Sequence, residues 1–509
     1  MQHTFRLLLI SAMAALAVIG CETSLDGNLN ENQTPNTSLT IDNIEIDDGN
    51  RLSSRVNISW WGDDPDGYVD GYEYAISDTT EGNWRFTTRT DSVFILPISP
   101  GEEIEDVLFA VRAIDNEGAA DPSAASIEFP LRNSDPVTEL NTLELPPDTT
   151  FTIASFGWAI SDPDGLPTVR STEIAINDTL NGWVEIPIEA EDQQELFISV
   201  DISQEGADEG VADIYLGRNY RETELQVSGF EFDQLNTFYV RTTDAALATS
   251  EIQSHEWYLK RQTSSVLILN DDASSSSLEN LAFTRDRLSA IGISSDVIDI
   301  SDGEGFGSGG VVPLSNAFPR IINPTLNRAL AEWDHIYWMS SSLRRNINYA
   351  PEILSRFFDN NGTLFFNALS RVQDSSNPLL NFLPIQAYVS IDASRGENGF
   401  RIQNNYEVRP ASGQGTVLLY NAGRNTGIWP FVPFDEEDAL YEAELLKTFI
   451  TGNLERYEGP STVAAINPEG NLIFFGIPMI DFMDNGAEGD IEAVLQELLI
   501  NRLGFSTQQ

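Results

Sequence analysis

The stretch ISWWGDDPDGYVDGYEYAISDTTEGNW, residues 58–84, decides how the first half of this 509-residue chain folds, because its pattern occurs twice. Residues 156–183 read FGWAISDPDGLPTVRSTEIAINDTLNGW. Each copy sets a tryptophan (Trp60, Trp158) ahead of an Asp-Pro-Asp-Gly turn (Asp64 to Gly67, Asp162 to Gly165). An alternating segment follows, YEYAISDT or TEIAINDT, and a second tryptophan (Trp84, Trp183) closes the repeat. Later, FAVRAID from Phe109 is answered by FYVRTTD from Phe238. Alternation of period two gives strands with one apolar face, while Asp, Pro and Gly supply the turns between them. The spacing therefore predicts two antiparallel β-sandwiches in tandem.

These two units resemble fibronectin type III and related immunoglobulin-like modules. The resemblance implies a core tryptophan on an early strand and a late Y/F-x-V-R-A-x-D strand lying opposite it. The first module is expected over residues 36–133 and the second over 134–261. The second carries extra chain between Trp183 and Phe238, including EAEDQQELFISVDISQEGADEGVADIYLGRNY (189–220), expected as an added hairpin or a loop. Trp60 and Trp61 are adjacent on one strand, so they face opposite sides. The outward one could serve a sugar platform or be covered by a neighbouring domain.

The pattern changes at SSVLILNDDASSSSLENLAFTRDRLSAIGISSDVIDI, residues 264–300. Val266 to Leu269 reads as a continuous apolar strand, followed by a helix over 278–291 and a strand over 295–300. WDHIYWMSSS (333–342) supplies another strand, and APEILSRFFDNNGTLFF (350–366) a helix, a turn and a strand. LIFFGIP (472–478) is a strand and DIEAVLQELLINRLGF (490–505) a closing amphipathic helix. Strand–helix alternation of this kind predicts a parallel sheet. By this order and the phrase FFDNNGTLFF (357–366), residues 264–509 resemble the flavodoxin-like domains related to class I glutamine amidotransferases, found in surface proteins of Bacteroidetes. The expected fold is thus multidomain: two all-β Ig-like or fibronectin type III-like sandwiches, then an α/β flavodoxin-like domain with a parallel sheet.

In open α/β sheets ligands bind outside the carboxyl ends of the strands. Those ends carry Asn270, Asp271 and Asp272 after the first strand and Ser340, Ser341 and Ser342 after another, which makes them the candidate ligand pocket. The amidotransferase resemblance implies a cysteine nucleophile at a Gly-flanked elbow with a histidine and an acid. NALSR (367–371) has neither cysteine nor flanking glycines, and a triad built on Ser370 has no spacing to support it. The two histidines past residue 3, His255 and His335, both fall within expected strands and far apart, which argues against a His-based zinc site. GEGFGSGG (303–310) lacks the strand-to-helix context of a phosphate loop and reads as a loop. No catalytic residue is assigned. A non-catalytic binding or adhesion role is the leading expectation, with a surface hydrolase or a structural envelope subunit as rivals.

Calcium is the one cofactor the residues raise. Asp63, Asp64, Asp66 and Asp70 crowd GDDPDGYVDG (62–71), and Asp162 and Asp164 echo them. Calcium takes six to eight oxygens, and closely spaced aspartates supply several. Asp-Pro-Asp-Gly is equally an ordinary turn formula, because Asp caps the turn and Gly accepts a positive φ. Asp115 and Asp121 carry the same ambiguity, and no EF-hand pattern accompanies any of them.

The chain opens MQHTFRLLLISAMAALAVIG ahead of Cys21, its only cysteine. Arg6 followed by an apolar run from Leu7 to Ile19 has the layout of a signal peptide. Val18-Ile19-Gly20-Cys21 resembles the bacterial lipoprotein lipobox, which implies cleavage before Cys21 and lipidation of its sulfur. Residues 1–20 are then a leader and 21–35 a flexible tether. The membrane, reached through this lipid anchor, is the expected partner, with a glycan or protein ligand beyond it. The outer membrane, facing outward, is the expected location, and facing the periplasm is the alternative. Asp+Glu of 79 against Lys+Arg of 28 gives a formal net charge of −51, which repels nucleic acid. With 41% hydrophobic residues the chain still builds cores. The near absence of lysine (Lys260 and Lys447 alone) beside so many carboxylates fits a saline habitat or simply a solvated acidic exterior.

Overall fold

The computed structural model describes residues 31–42, 52–188, 195–206, 209–303, 314–319, 324–371, 378–415, 417–422, 425–482 and 490–507. The leader, Cys21, the tether up to residue 30 and the glycine-rich stretch past Gly303 lie outside the described residues. The chain divides into two compact units. One holds the first module together with residues 163–168 and 245–248, and the other holds the rest of the second module and the C-terminal region.

The first module is built from β1 (Asn36–Asp42), β2 (Arg55–Asp63), β3 (Val69–Ile76), β4 (Arg85–Thr87), β5 (Asp91–Ile95), β6 (Ile104–Asp115) and β7 (Ala125–Arg132). They form a three-stranded sheet, β1-β2-β5, and a four-stranded sheet, β4-β3-β6-β7, all antiparallel. Alternation sends Trp60 into the space between the sheets, 6.3 Å from Tyr72 and 6.2 Å from Phe109, while its neighbour Trp61 is 53% exposed.

The second module repeats this plan. Its strands are β8 (Val137–Leu140), β9 (Thr149–Thr150), β10 (Ile153–Ser161), β11 (Val169–Ile176), β12 (Val184–Ile186), β13 (Glu195–Ile202), β14 (Val211–Leu216), β15 (Arg221–Ser228), β16 (Gln234–Asp244) and β17 (Gln253–Leu259). The sheets are β15-β14-β13-β10-β8 and β12-β11-β16-β17-β9. Phe156 stacks on Phe238 at 4.1 Å, and Trp158 lies 6.0 Å from Phe238. The extra chain resolves into two parts: β13 pairs with β10 as β5 pairs with β2, and β14 with β15 forms an added hairpin on the edge.

The second tryptophan of each repeat has a partner set of its own. Glu73 and Arg112 sit directly opposite across β3 and β6, as Glu173 and Arg241 do across β11 and β16. Each arginine pairs with its glutamate (2.7 and 2.8 Å) and covers the tryptophan ring, 4.3 Å from Trp84 and 4.1 Å from Trp183. A cross-strand ion pair roofing an aromatic ring thus ties a short edge strand, β4 or β12, to the sheet in both modules.

The C-terminal region comprises β18 (Val266–Asp271), α1 (Ser277–Ala290), β19 (Asp296–Asp299), α2 (Pro324–Leu330), β20 (His335–Ser340), α3 (Ala350–Ile353), α4 (Ser355–Asp359) and β21 (Thr363–Ala368). Short strands follow: β22 (Ala387–Tyr388), β23 (Glu397–Ile402), β24 (Glu407–Pro410), β25 (Leu419–Tyr420), β26 (Asn425–Thr426), β27 (Phe431–Val432), β28 (Ala439–Ala443), β29 (Leu446–Phe449) and β30 (Leu454–Arg456). The chain ends with β31 (Thr462–Ile466), β32 (Leu472–Phe475) and α5 (Asp490–Leu495), which runs on as a wider π-type turn to Arg502.

Five strands, β19-β18-β20-β21-β32, are parallel, and in chain order they lie second, first, third, fourth, fifth. Both faces are covered, as continuous apolar strands require. Val266, Ile268 and Tyr337 face one core, with Leu288 of α1; Leu267, Leu269 and Trp338 face the other, with Leu326 of α2. The expectation of a parallel sheet needs correcting beyond these strands. The sheet is mixed and eleven-stranded: β31 returns antiparallel on β32, β28, β24 and β25 extend it antiparallel, and β22 and β27 join at β31. A separate four-stranded sheet, β26-β23-β29-β30, completes the region. Strands of two to six residues inserted between β21 and β32 cause the difference.

Candidate functional site

The order of the parallel strands reverses between β18 and β20, and loops leaving their carboxyl ends in opposite directions open a crevice there. A cleft of about 300 Å³ occupies that position. Asp272, Ser340 and Ser341 line it, with Asn280 of α1, Asn367 of β21 and Asp481. Of the six residues expected in the pocket, three therefore line the cleft, and the other three serve as its frame.

Asp271 is the centre of that frame. Its side chain is fully buried and accepts five hydrogen bonds. Oδ1 takes Arg345 Nε (3.1 Å) and Asn346 Nδ2 (2.8 Å); Oδ2 takes Asn346 N (3.0 Å), Ser340 Oγ (3.1 Å) and Trp338 Nε1 (3.4 Å). Burial pushes its carboxyl up, to about 7, against the opposing pull of Arg345 and the other donors. Asn270 donates to Ser277 Oγ (3.1 Å), tying the strand end to the start of α1. Ser342 Oγ accepts from Arg344 N (3.2 Å), shaping the loop after β20. Asp271 thus holds the β20 loop against β18 and is spent in doing so.

The rim is more available. Asp272 accepts from Ser274 N (2.8 Å) and from the Asn280 side chain, and Ser341 Oγ accepts from Ala273 N (3.2 Å). Asn367 donates to the carbonyls of Phe475 (3.1 Å) and Ile477 (2.8 Å) and accepts from Met479 N (3.0 Å), fixing the far wall. What remains is a mixed recess: hydroxyls, amides and two carboxylates on one side, and Met339, Leu369, Pro478, Met479 and Ile480 on the other, suited to a ligand with both polar and apolar faces. Sequence reasoning missed Asn280, Thr284 and Asp481. The first two sit one helical turn apart on α1, a spacing that signals a shared face.

The candidates for chemistry lie elsewhere. Ser370 is fully buried and donates to the Trp429 carbonyl at 2.8 Å. His335 begins β20, at the end remote from the cleft, where its Nδ1 is 2.8 Å from Thr363 Oγ1 and its ring stacks on Phe505 at 4.6 Å. Burial lowers its pKa, with Asp334 opposing, so the imidazole is favoured neutral. His255 lies on β17, its pKa likewise lowered by burial.

Five of the aspartates raised for calcium, Asp64, Asp66, Asp115, Asp121 and Asp164, accept backbone hydrogen bonds. Asp64 Oδ1 accepts from Asp66 N (3.4 Å), and Asp66 accepts from Gln33 N (3.1 Å). Asp63 and Asp70 are exposed, and Asp162 ends up buried just past β10. Asp164 accepts from Ser54 N and Ser134 N, each at 2.7 Å. Asp115 Oδ1 takes two backbone N–H groups of its own turn, from Glu117 and Ala119. Asp121 takes Thr37 N at 2.7 Å, anchoring β1. Among the described residues no group of three or more His, Cys, Asp or Glu side chains is arranged to hold a metal ion.

No known protein family matches the chain, and no curated protein does. Solved structures of β-modules do. The fibronectin(III)-like modules of Clostridium thermocellum CbhA match 44% of this chain and 95% of their own, at 13% identity and a TM-score of 0.17. A two-domain fibronectin type III segment of chicken tenascin matches 44% of this chain and 99% of its own, at 10% identity and a TM-score of 0.18. A tetra-tandem repeat from the extending region of a large adhesion protein matches 44% and 49%, at 13% identity and 0.18. The assignment of two sandwiches rests on the strand registers described above.

Proposed function

We propose that the chain is a lipid-anchored cell-envelope protein that binds rather than transforms its ligand. Cys21 carries the anchor, the two fibronectin type III-like sandwiches form a spacer, and a flavodoxin-like C-terminal domain presents the cleft. The observation that carries the binding role is the state of the cleft's chemistry. Its most perturbed acid, Asp271, is enclosed by five donors, and the serine nearest an elbow position, Ser370, is buried against a carbonyl. A recess that sets serines and asparagines against Met339, Leu369 and Met479 suits a glycan, with its hydroxyls and apolar ring faces, or a segment of a protein. The second-first-third-fourth-fifth strand order supports the flavodoxin-like reading, with the antiparallel extension as this chain's own addition.

Protease shaving of intact and permeabilised cells, beside a Cys21→Ala strain, tests the anchoring and the face. Loss from intact cells is the expected result and places the modules outside. Protection until permeabilisation would move the protein to the periplasmic face. A Cys21→Ala protein as firmly membrane-bound as the parent would overturn the anchor.

A further inference from the structure

A second cavity, of about 260 Å³, lies where the second sandwich packs on the C-terminal region, within one compact unit. Its walls are apolar: Phe151 and Ile153 from the sandwich meet Leu326, Leu330 and Trp333 from around α2, all buried. Several threonines, Asp299 and two further polar groups break this lining. Ser155 is 1% exposed, and its hydroxyl has no hydrogen-bond partner among the described residues. Lys260, one of only two lysines in the chain, sits at the cavity half-buried, its ammonium 5.0 Å from the Phe151 ring. Among the described residues that ammonium makes no ion pair.

We propose that this cavity binds a medium-chain fatty acid, with the alkyl chain in the apolar chamber and the carboxylate on Lys260. Size sets the chain length. An apolar cavity of about 150 Å³ stays dry and takes up benzene, so 260 Å³ holds roughly ten non-hydrogen atoms, the size of an eight- to ten-carbon acid. Charge sets the head group. A single ammonium matches one negative charge, and Asp299, which lines the same cavity and opposes any anion, weighs twice as heavily against a dianion such as a phosphate monoester. The net charge of −51 repels anions at long range, but salt screens this beyond about 8–10 Å, leaving the local cation to decide. The inference is independent of the anchoring proposal, because the site is built wholly from residues 146–333.

Isothermal titration of the full-length protein with decanoate and with decanol tests it. Decanoate binds, decanol binds at least tenfold more weakly, and Lys260→Gln removes the difference. Ala329→Phe, which fills the chamber from α2, abolishes binding of both ligands while the far-UV circular dichroism stays unchanged. Failure of decanoate to bind the unaltered protein would overturn the proposal. So would equal affinities for acid and alcohol, or decanoate binding that survives both substitutions.

Discussion

Replacing Asp271 with asparagine isolates the physical role of the group beneath the cleft. The side chain keeps its shape, but Nδ2 of an asparagine must face the two donors now on Oδ1 or the three now on Oδ2, and Arg345 loses its ionic partner. Above pH 7, where the carboxyl is ionised, removing this member of a buried charged pair costs about 3–5 kcal/mol. The pH dependence is more diagnostic than that loss. Burial raises the folded-state pKa of Asp271 to about 7, above the ordinary carboxylate value. A raised carboxyl favours the folded state at low pH, and that contribution is lost as pH rises through 7. With an unfolded value near 3.9 and about 1.4 kcal/mol per unit, the parent loses about 2–3 kcal/mol between pH 5 and pH 8 from this residue alone. Asp271→Asn does not titrate, so it lacks this loss, and the gap between the two proteins narrows as pH rises. Hydrogen exchange of the β18 and β20 amides, followed from pH 5 to 8 and corrected for intrinsic rates, reads the local stability directly. Parallel pH profiles for parent and variant would refute the account of Asp271 as a buried, raised carboxyl.

Two further outcomes test the modules. Trp158→Ala removes a buried ring from the second sandwich and is expected to cost about 3–5 kcal/mol, read as a lower urea midpoint for that module's unfolding. Arg241→Ala breaks the partly exposed pair with Glu173 and uncovers Trp183; a double-mutant cycle with Glu173→Ala is expected to give a coupling of about 0.2–1 kcal/mol, the range for such pairs.

The sandwiches were readable because the sequence states the same physical constraint twice. Trp60 and Trp158 fall inside, Glu73 meets Arg112 as Glu173 meets Arg241, and the Asp-Pro-Asp-Gly turns sit at matching strand ends. The extra chain of the second module was visible as an insertion. Its pairing was not, because β13 joins β10 across more than thirty intervening residues and nothing local specifies that partner. In the C-terminal region the apolar runs of β18, β20, β21 and β32 announced themselves, since strands buried on both faces need no alternation. The stretch between β21 and β32 gave no such signal. Its strands hold two to six residues, too few for a period to show, and they are stable only as additions to a sheet that already exists.

The same reasoning explains why three of the six residues expected at the strand ends line the cleft and three do not. Strand ends can be read from where an apolar run stops, so Asn270 to Asp272 and Ser340 to Ser342 were found together. Which of them faces the cleft depends on the loop that returns over them. Asn346 and Arg345, six and five residues past β20, fold back and claim Asp271, turning a candidate ligand residue into a structural one. That leaves Asp272, one residue further on, at the rim. Spending the buried acid on the loop fixes the shape of the recess in advance, so under the binding role proposed above less ordering would remain to oppose binding. A substitution that frees the loop, such as Asn346→Ala, should therefore weaken ligand binding at the cleft without touching a residue that lines it.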